Sequence, residues 1–490
     1  MTKGQLPLSA LKISDFTFFL LQFTLYKNWM IQPNNNELSF VVPEGKERRF
    51  LWADSWRLAW PVFIGQGVAT SMILISRMMV GAIGESALAA LGLGQMIFFA
   101  LVLGLSSIAV GMVALIAREV GAGNIREASR IFGQGVFFGT IASLFLSIAG
   151  ILLTRPIFLA LHIAPEVLDD SVRCMFWLYL GLPFASTSFF LGAGLRGAGD
   201  TRTPMVIQIL NTCFNILLQY VLVFGKFGLP KMGIVGAGLA MAIAFLLSTI
   251  MFIPLFSLSM TKLDINFSKL KIDLAILKKI VKIGGPTAIE WELIQLGLIA
   301  FVSIVNRYGP EPAAAYIIGL SILNFSQLPS LGYNASATTQ VGMCLGAKRP
   351  DLAETSLRVN ITASVILMSV IAIAMVIFAQ PLILSLFPQS SELTVGYAKL
   401  YLYAVAVCHP LMAIAFVQAG ALRGAGYSVS PMIAQSSGMY IFRLGLAVLL
   451  WKKFNAPVQW LWLTQIPDFL FRTLYLSISV RRGRWKKVKV

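Results

Sequence analysis

Apolar residues run along this chain in continuous blocks, not in the alternation that marks a half-buried strand. Between about residue 58 and residue 480 each block ends at a charged or Gly/Pro-rich break. A helix rises about 1.5 Å per residue, so about 20 apolar residues are needed to cross the hydrocarbon core of a bilayer. The pattern predicts twelve spans, at 58–80, 88–115, 130–153, 170–192, 204–225 and 233–258, then 283–306, 313–342, 355–380, 395–420, 431–452 and 457–480. A transmembrane barrel would show alternating segments instead. The fold class is therefore an all-α polytopic membrane protein with twelve transmembrane helices, and its partner on every side is the lipid bilayer.

Composition agrees with this reading. Of 490 residues 57% are hydrophobic and only 12% charged, whereas soluble chains carry about a quarter charged. The net charge of +18 raises the question of nucleic acid. Its Lys and Arg residues sit between apolar blocks and form no basic soluble face, so no nucleic-acid partner is expected. With the N-terminus inside, 28 of the 39 Lys and Arg fall in cytoplasmic segments and 8 in outer ones. That bias places both termini in the cytoplasm, in a cell membrane (the inner one of a Gram-negative host). The four cysteines, Cys174, Cys213, Cys344 and Cys408, lie in or beside apolar blocks without a CxxC pair. They are expected to be buried small hydrophobes, with no disulfide, metal or organic cofactor.

The chain divides into an extension over 1–50, an N-lobe over 51–260, a lysine-rich cytoplasmic linker over 261–282, a C-lobe over 283–480 and a basic tail over 481–490. Phe16 to Tyr26 is apolar but too short to span, and reads as an interfacial helix, with disorder or a thirteenth span as alternatives.

The halves are near copies. At an offset of 225, Pro61 falls on Pro286, Gly84 on Gly309, Gly121-Ala122 on Gly346-Ala347, and Pro156 on Pro381. At 227, Pro183 falls on Pro410, Leu195-Arg-Gly-Ala-Gly199 on Leu422-Arg-Gly-Ala-Gly426, and Pro204-Met205 on Pro431-Met432. An even number of spans per half makes the repeat parallel, related by an axis along the membrane normal, as in transporters whose lobes rock about a central site. The Gly-rich repeats lack the setting and the Lys-Ser/Thr ending of a phosphate loop. They are expected to be sharp cytoplasmic turns whose following Pro opens the next helix, with Arg196 and Arg423 at the headgroups.

These motifs carry a resemblance. Val80-Gly81 with Ala87-Leu-Ala-Ala90, Gly121-Ala-Gly-Asn124, Leu195-Arg-Gly-Ala-Gly-Asp200 with Pro204, Asn215-Ile-Leu-Leu-Gln-Tyr220, Gly233-Ile-Val-Gly-Ala237 and Arg481-Arg-Gly-Arg-Trp485 resemble the multidrug and toxic compound extrusion family, bacterial type. The resemblance covers about residues 55 to 487. It implies two six-helix lobes around a cleft and export of organic, often cationic, compounds against inward proton or sodium flow.

Charge within a membrane costs about 2.5–3.5 kcal/mol at a helix centre and marks candidate function. Three acids fall well inside predicted spans: Glu290, Glu292 and Asp468. Glu290 and Glu292 stand about 200° apart on a helix. Glu290 is the expected coupling carboxylate, in the Pro-x-x-x-Glu pattern seen in many bacterial members of the family it resembles. Asp468 and Arg472, spaced i, i+4, with Arg443 on the preceding helix, suggest an ion network between helices 11 and 12. At the family's N-lobe carboxylate positions the chain has Ser76 and Gln219, the latter with Asn215, and Arg77 stands beside Ser76. Those groups do not titrate, so the coupling ion, proton before sodium, is assigned to the C-lobe. His409 is a candidate relay. Pro61 and Pro286, with Pro183 and Pro410, are candidate gating bends. Phe98, Phe99, Trp177, Tyr179 and Trp291 are candidates for an aromatic cleft.

The expected function is a secondary antiporter, monomeric, exporting small amphipathic cations. The alternatives are a related exporter or flippase of a metabolite or lipid-linked substrate, and a non-transporting receptor. An enzyme is not expected, since two histidines and no HExxH-like pair leave little catalytic chemistry.

Overall fold

The computed structural model describes residues 45–160, 165–257, 261, 263–264 and 272–488. Phe16 to Tyr26 and His162 lie outside the described residues. The first lobe comprises α1 (Glu47–Gly81), α2 (Glu85–Gly121), α3 (Ile125–Ala160), α4 (Pro165–Gly197), α5 (Arg202–Phe224) and α6 (Gly233–Ser257). The second comprises α7 (Leu274–Val305), α8 (Pro310–Ser326 and, after a 42° bend, Leu328–Gly346), α9 (Pro350–Ile377, with the short helix Ala379–Leu386), α10 (Glu392–Gly424), α11 (Val429–Phe454) and α12 (Val458–Leu463 and Gln465–Arg481). No strand occurs among the described residues.

Ten of these helices are long and apolar enough to cross a bilayer, and the bent α8 makes an eleventh. The twelfth predicted span, α12, is interrupted at Thr464. It carries Asp468 and Arg472 on a buried face, so packing against α10 and α11 places it, not hydropathy alone.

Two helix starts differ from the sequence expectation for one physical reason. α1 begins at Glu47, well before residue 58, and α7 at Leu274, inside the expected linker. Hydropathy treats a lysine or arginine as a break, but a long basic side chain can reach water while the backbone stays helical. Lys278, Lys279 and Lys282 are exposed on the first turns of α7. Asp273 fixes that start by accepting from the Ala275 and Ile276 N–H groups at 2.9 and 3.4 Å.

The duplicated motifs fold identically at the backbone. After α4, Gly199 N–H donates to Arg196 O and Asp200 N–H to Leu195 O. After α10, Gly426 N–H donates to Arg423 O and Tyr427 N–H to Leu422 O. Gly199 and Gly426 both take the left-handed conformation that closes such a helix end, with φ of 85° and 80°. Pro204 and Pro431 sit in the first turns of α5 and α11.

Among the described residues, the lobes approach most closely toward the end that carries Glu47 and Arg481. Their seam is built from glycines facing backbone. A Cβ added at Gly121 would lie 2.0 Å from Met343 O, and one at its repeat mate Gly346 1.9 Å from Arg118 O. Likewise Gly284 faces Ser107 O at 1.9 Å and Gly332 faces Ala59 O at 2.6 Å. Each contact is its partner's image under the offset of 225, so the seam has approximate two-fold symmetry. Ala59 of α1 accordingly belongs to the apolar cluster of α8, α9 and α10. Toward the opposite end the last such approach is Gly67 to a Leu328 methyl at 3.3 Å. Beyond it no comparable glycine approach between the lobes is found among the described residues.

Candidate functional site

Three polar features interrupt the apolar packing. The first is a cavity of about 220 Å³ inside the N-lobe, walled by α1, α2, α4, α5 and α6. Phe98 and Phe245 line it with nearly parallel rings, 6.5 Å apart. Gln208, Asn211 and the Ser188–Ser248 hydroxyl pair, 2.6 Å apart, supply neutral polarity. Arg196 is the one charged lining residue, and no acid pairs with it among the described residues.

Beside the cavity are the substituted carboxylate positions. Ser76, Asn215 and Gln219 are all buried. Gln219 Nε2 donates to Asn215 Oδ1 at 2.5 Å. Ser76 Oγ, Asn215 Nδ2 and Gln219 Oε1 have no protein partner. These neutral groups can solvate an ion or a polar cargo atom, but they bring no counter-charge.

The second feature is a buried charge cluster in the C-lobe. Glu290 Oε1 accepts from Arg423 Nη2 at 2.5 Å, while Glu290 Oε2 is without a partner. Asp468, fully buried, lies between Arg472 (Nε to Oδ1, 2.5 Å) and Arg443 (Nε to Oδ2, 2.9 Å). Arg472 also donates to Gln435. α11 reaches this cluster through a π-helical stretch, Gly438–Gly445. A Cβ at Gly438 would fall 2.3 Å from Asp468 Oδ1, so only glycine leaves room for the carboxylate against the α11 backbone. Two carboxylates face three guanidiniums here. Removing water from such groups costs several kcal/mol per ion, and it is sustained only where partners are this close.

The third feature is a polar clamp across the seam. Gln340 of α8 donates to Asp54 Oδ2 at 2.7 Å and accepts from Ser55, Ser356 and Asn360 at 3.2, 2.8 and 2.8 Å. Thr339 donates to Arg196 O at 3.1 Å. Asp54 is a buried acid that hydropathy missed, because it precedes the expected start of α1. The polar run Ser336 to Gln340 inside a predicted span was the available signal.

Other candidates are dispersed. Glu292 is half-buried on the face of α7 that exposes Ile289 and Leu296, away from Glu290. Trp291 is half-buried. Tyr179 packs behind Phe98, with ring centroids 6.1 Å apart, and does not line the cavity. Trp177 stacks edge-on to Phe176, and the Phe99 side chain is outside the described set. His409 is fully buried, with Nδ1 2.9 Å from Val405 O and Nε2 3.0 Å from Ser326 Oγ. A carbonyl only accepts, so Nδ1 carries the proton, and the ring ties α10 to the bend in α8. Pro61 and Pro286 lie within unbroken helices. Cys213 is exposed on α5, contrary to expectation, while the other three cysteines are buried.

Arg196 and Arg423 are corrections. Expected at the headgroups, Arg196 instead lines the N-lobe cavity and Arg423 is drawn onto the buried Glu290 carboxylate.

Two lobes of matched topology, closed at one end around buried polar groups, define a polytopic membrane protein of the transporter class. The profile of the MatE family matches residues 61–221 and 286–449, once in each lobe, and the chain belongs to that family. The Thermotoga maritima protein named "Probable multidrug resistance protein NorM" is 26% identical over 469 residues, spanning 95% of this chain and 97% of its own. Multidrug resistance protein MdtK of Proteus mirabilis is 26% identical over 384 residues, 77% of this chain and 82% of its own. A solved Vibrio cholerae MATE transporter, 19% identical, superposes with a TM-score of 0.83 over 90% of this chain and 100% of its own.

Proposed function

We infer that this protein is a secondary antiporter that exports organic compounds by alternating access, driven by inward proton flow. The observation that carries the reading is the seam: two repeat-related lobes touch through symmetric glycine–backbone contacts toward one end, with no comparable glycine approach among the described residues at the other. Such a contact, made by small residues against backbone, can part when the lobes rock about the axis that relates them. With the termini cytoplasmic, the closed end faces the cytoplasm and the other end faces outward. The naming of relatives as multidrug resistance proteins supports a cargo range wider than one metabolite.

Coupling is assigned to Glu290. Its carboxylate is buried and held by Arg423 alone, with one oxygen unpartnered. Taking up a proton removes the charge that anchors Arg423, so α7 and α10 are freed to move relative to each other. Protons are favoured over sodium because Ser76, Asn215 and Gln219 offer no anionic ligand. Asp468, held by two arginines, is assigned to fixing α11 against α12. Glu292 faces away from the cluster and is given no coupling role.

The test is efflux from proteoliposomes, with ethidium and a set of neutral and anionic dyes, under imposed pH or sodium gradients. Proton-driven movement that is lost in Glu290→Gln, with the protein still folded, is the expected result. Absence of gradient-driven movement for every dye would favour a receptor or a lipid flippase. Full activity in Glu290→Gln would reject that residue as the coupling group.

A further inference from the structure

The repeat makes the two arginines of the Leu-Arg-Gly-Ala-Gly motifs directly comparable. Arg196 and Arg423 leave the backbone from the same closed turn at the end of α4 and α10. In the C-lobe, Arg423 meets Glu290, which stands four residues after Pro286 on α7. Four residues after Pro61, the repeat position on α1 is Gly65. The N-lobe thus has the cation and lacks its counter-charge.

The space for one is present. A Cβ at Gly65 would meet only Met205, at 3.8 Å and beyond, an ordinary contact. Asp200, the nearest acid along the chain, is turned away and accepts from the Arg202 and Thr203 N–H groups, both at 3.1 Å. The guanidinium faces a cavity of about 220 Å³ whose other walls are aromatic, aliphatic or neutral polar. A Phe189 ring lies 5.7 Å from its carbon. An unpaired cation in such a setting is electrostatically incomplete, and a charge-assisted hydrogen bond from an incoming anion would complete it.

We propose that the N-lobe cavity is a subsite for small amphipathic organic anions. Arg196 binds the carboxylate, sulfonate or phosphate, and the Phe98–Phe245 pair takes the apolar body. The C-lobe, where Glu290 already supplies the counter-charge of Arg423, lacks the same affinity. This deepens the export reading by naming a cargo class, and it replaces the expected preference for cations with its opposite in this lobe.

The test is equilibrium binding of tritiated naphthoate to the purified protein in nanodiscs, with naphthylmethylammonium as the matched cation. The wild type is expected to prefer the carboxylate. Arg196→Gln should weaken naphthoate about 10- to 100-fold, the range for losing a hydrogen bond to a charged group. Arg196→Lys should retain part of the affinity. Gly65→Glu, which restores the missing partner, should weaken naphthoate as strongly, while the neutral Gly65→Gln should weaken it less. If Arg196→Gln fails to fold, the Gly65→Glu and Gly65→Gln pair still decides the matter. Displacement by benzoate marks a water-borne acid as occupant and displacement by oleate a bilayer lipid, both through the same anion contact. Absence of naphthoate binding in the wild type, equal binding of the cation, or unchanged affinity in Arg196→Gln would overturn the proposal. Because binding needs no gradient, this outcome is independent of whether transport occurs: naphthoate bound while no dye moves under any gradient would sink the antiporter reading alone.

Discussion

Replacing Gly121 or its repeat mate Gly346 with alanine tests whether the glycine seam decides which face of the protein is closed. The new Cβ would stand 2.0 Å from Met343 O or 1.9 Å from Arg118 O, where ordinary contact begins at 3.4 Å. Both obstacles are backbone, so no rotamer change relieves them, and the lobes must part by more than an ångström. Overpacking of this kind costs about 1–3 kcal/mol. The cost falls on the state with the seam closed and not on the state in which the lobes have separated there. An energy difference of that size shifts a two-state ratio about 5- to 150-fold. Cys344 reports the shift: it is fully buried, in the apolar cluster that Ala59 of the other lobe completes. In a Cys213→Ser background, which removes the exposed thiol, either alanine variant should raise the labelling rate of Cys344 by an impermeant maleimide by about that factor. Labelling at the wild-type rate in both folded variants would refute the claim that these glycines hold the seam shut.

Gln340→Leu should raise the same labelling rate, because Asp54, Ser356 and Asn360 lose their shared partner, each unsatisfied group costing about 1–3 kcal/mol. Asp468→Asn should lower the thermal stability of the purified protein by about 3–5 kcal/mol, since Arg443 and Arg472 are left buried without a counter-charge. A double variant that also neutralises Arg443 should recover part of the loss in the same melting assay. His409→Gln should leave the pH profile of transport unchanged and cost about 0.5–1.5 kcal/mol for each hydrogen bond it fails to replace. A lost limb of that profile would instead mark His409 as a relay.

The distribution of apolar residues determined the helices, their number and the duplication, because hydropathy and Gly/Pro punctuation act on the chain locally. The Leu-Arg-Gly-Ala-Gly turns were legible for the same reason, since a left-handed helix end needs glycine at Gly199 and Gly426 wherever the helix lies. The triad of Asp468, Arg472 and Arg443 was also in reach, because two of its members are one helical turn apart. The pairing of Glu290 with Arg423 was not, nor the burial of Asp54 beneath Gln340, nor the vacancy opposite Arg196. Each joins residues more than a hundred positions apart, on helices whose neighbours are chosen by packing. The π-helical stretch at Gly438–Gly445 and the bend at Gln327 belong to the same class. Sequence periodicity states what each helix wants to bury. Which charge meets which, and which is left alone, is decided only when the helices pack within each lobe.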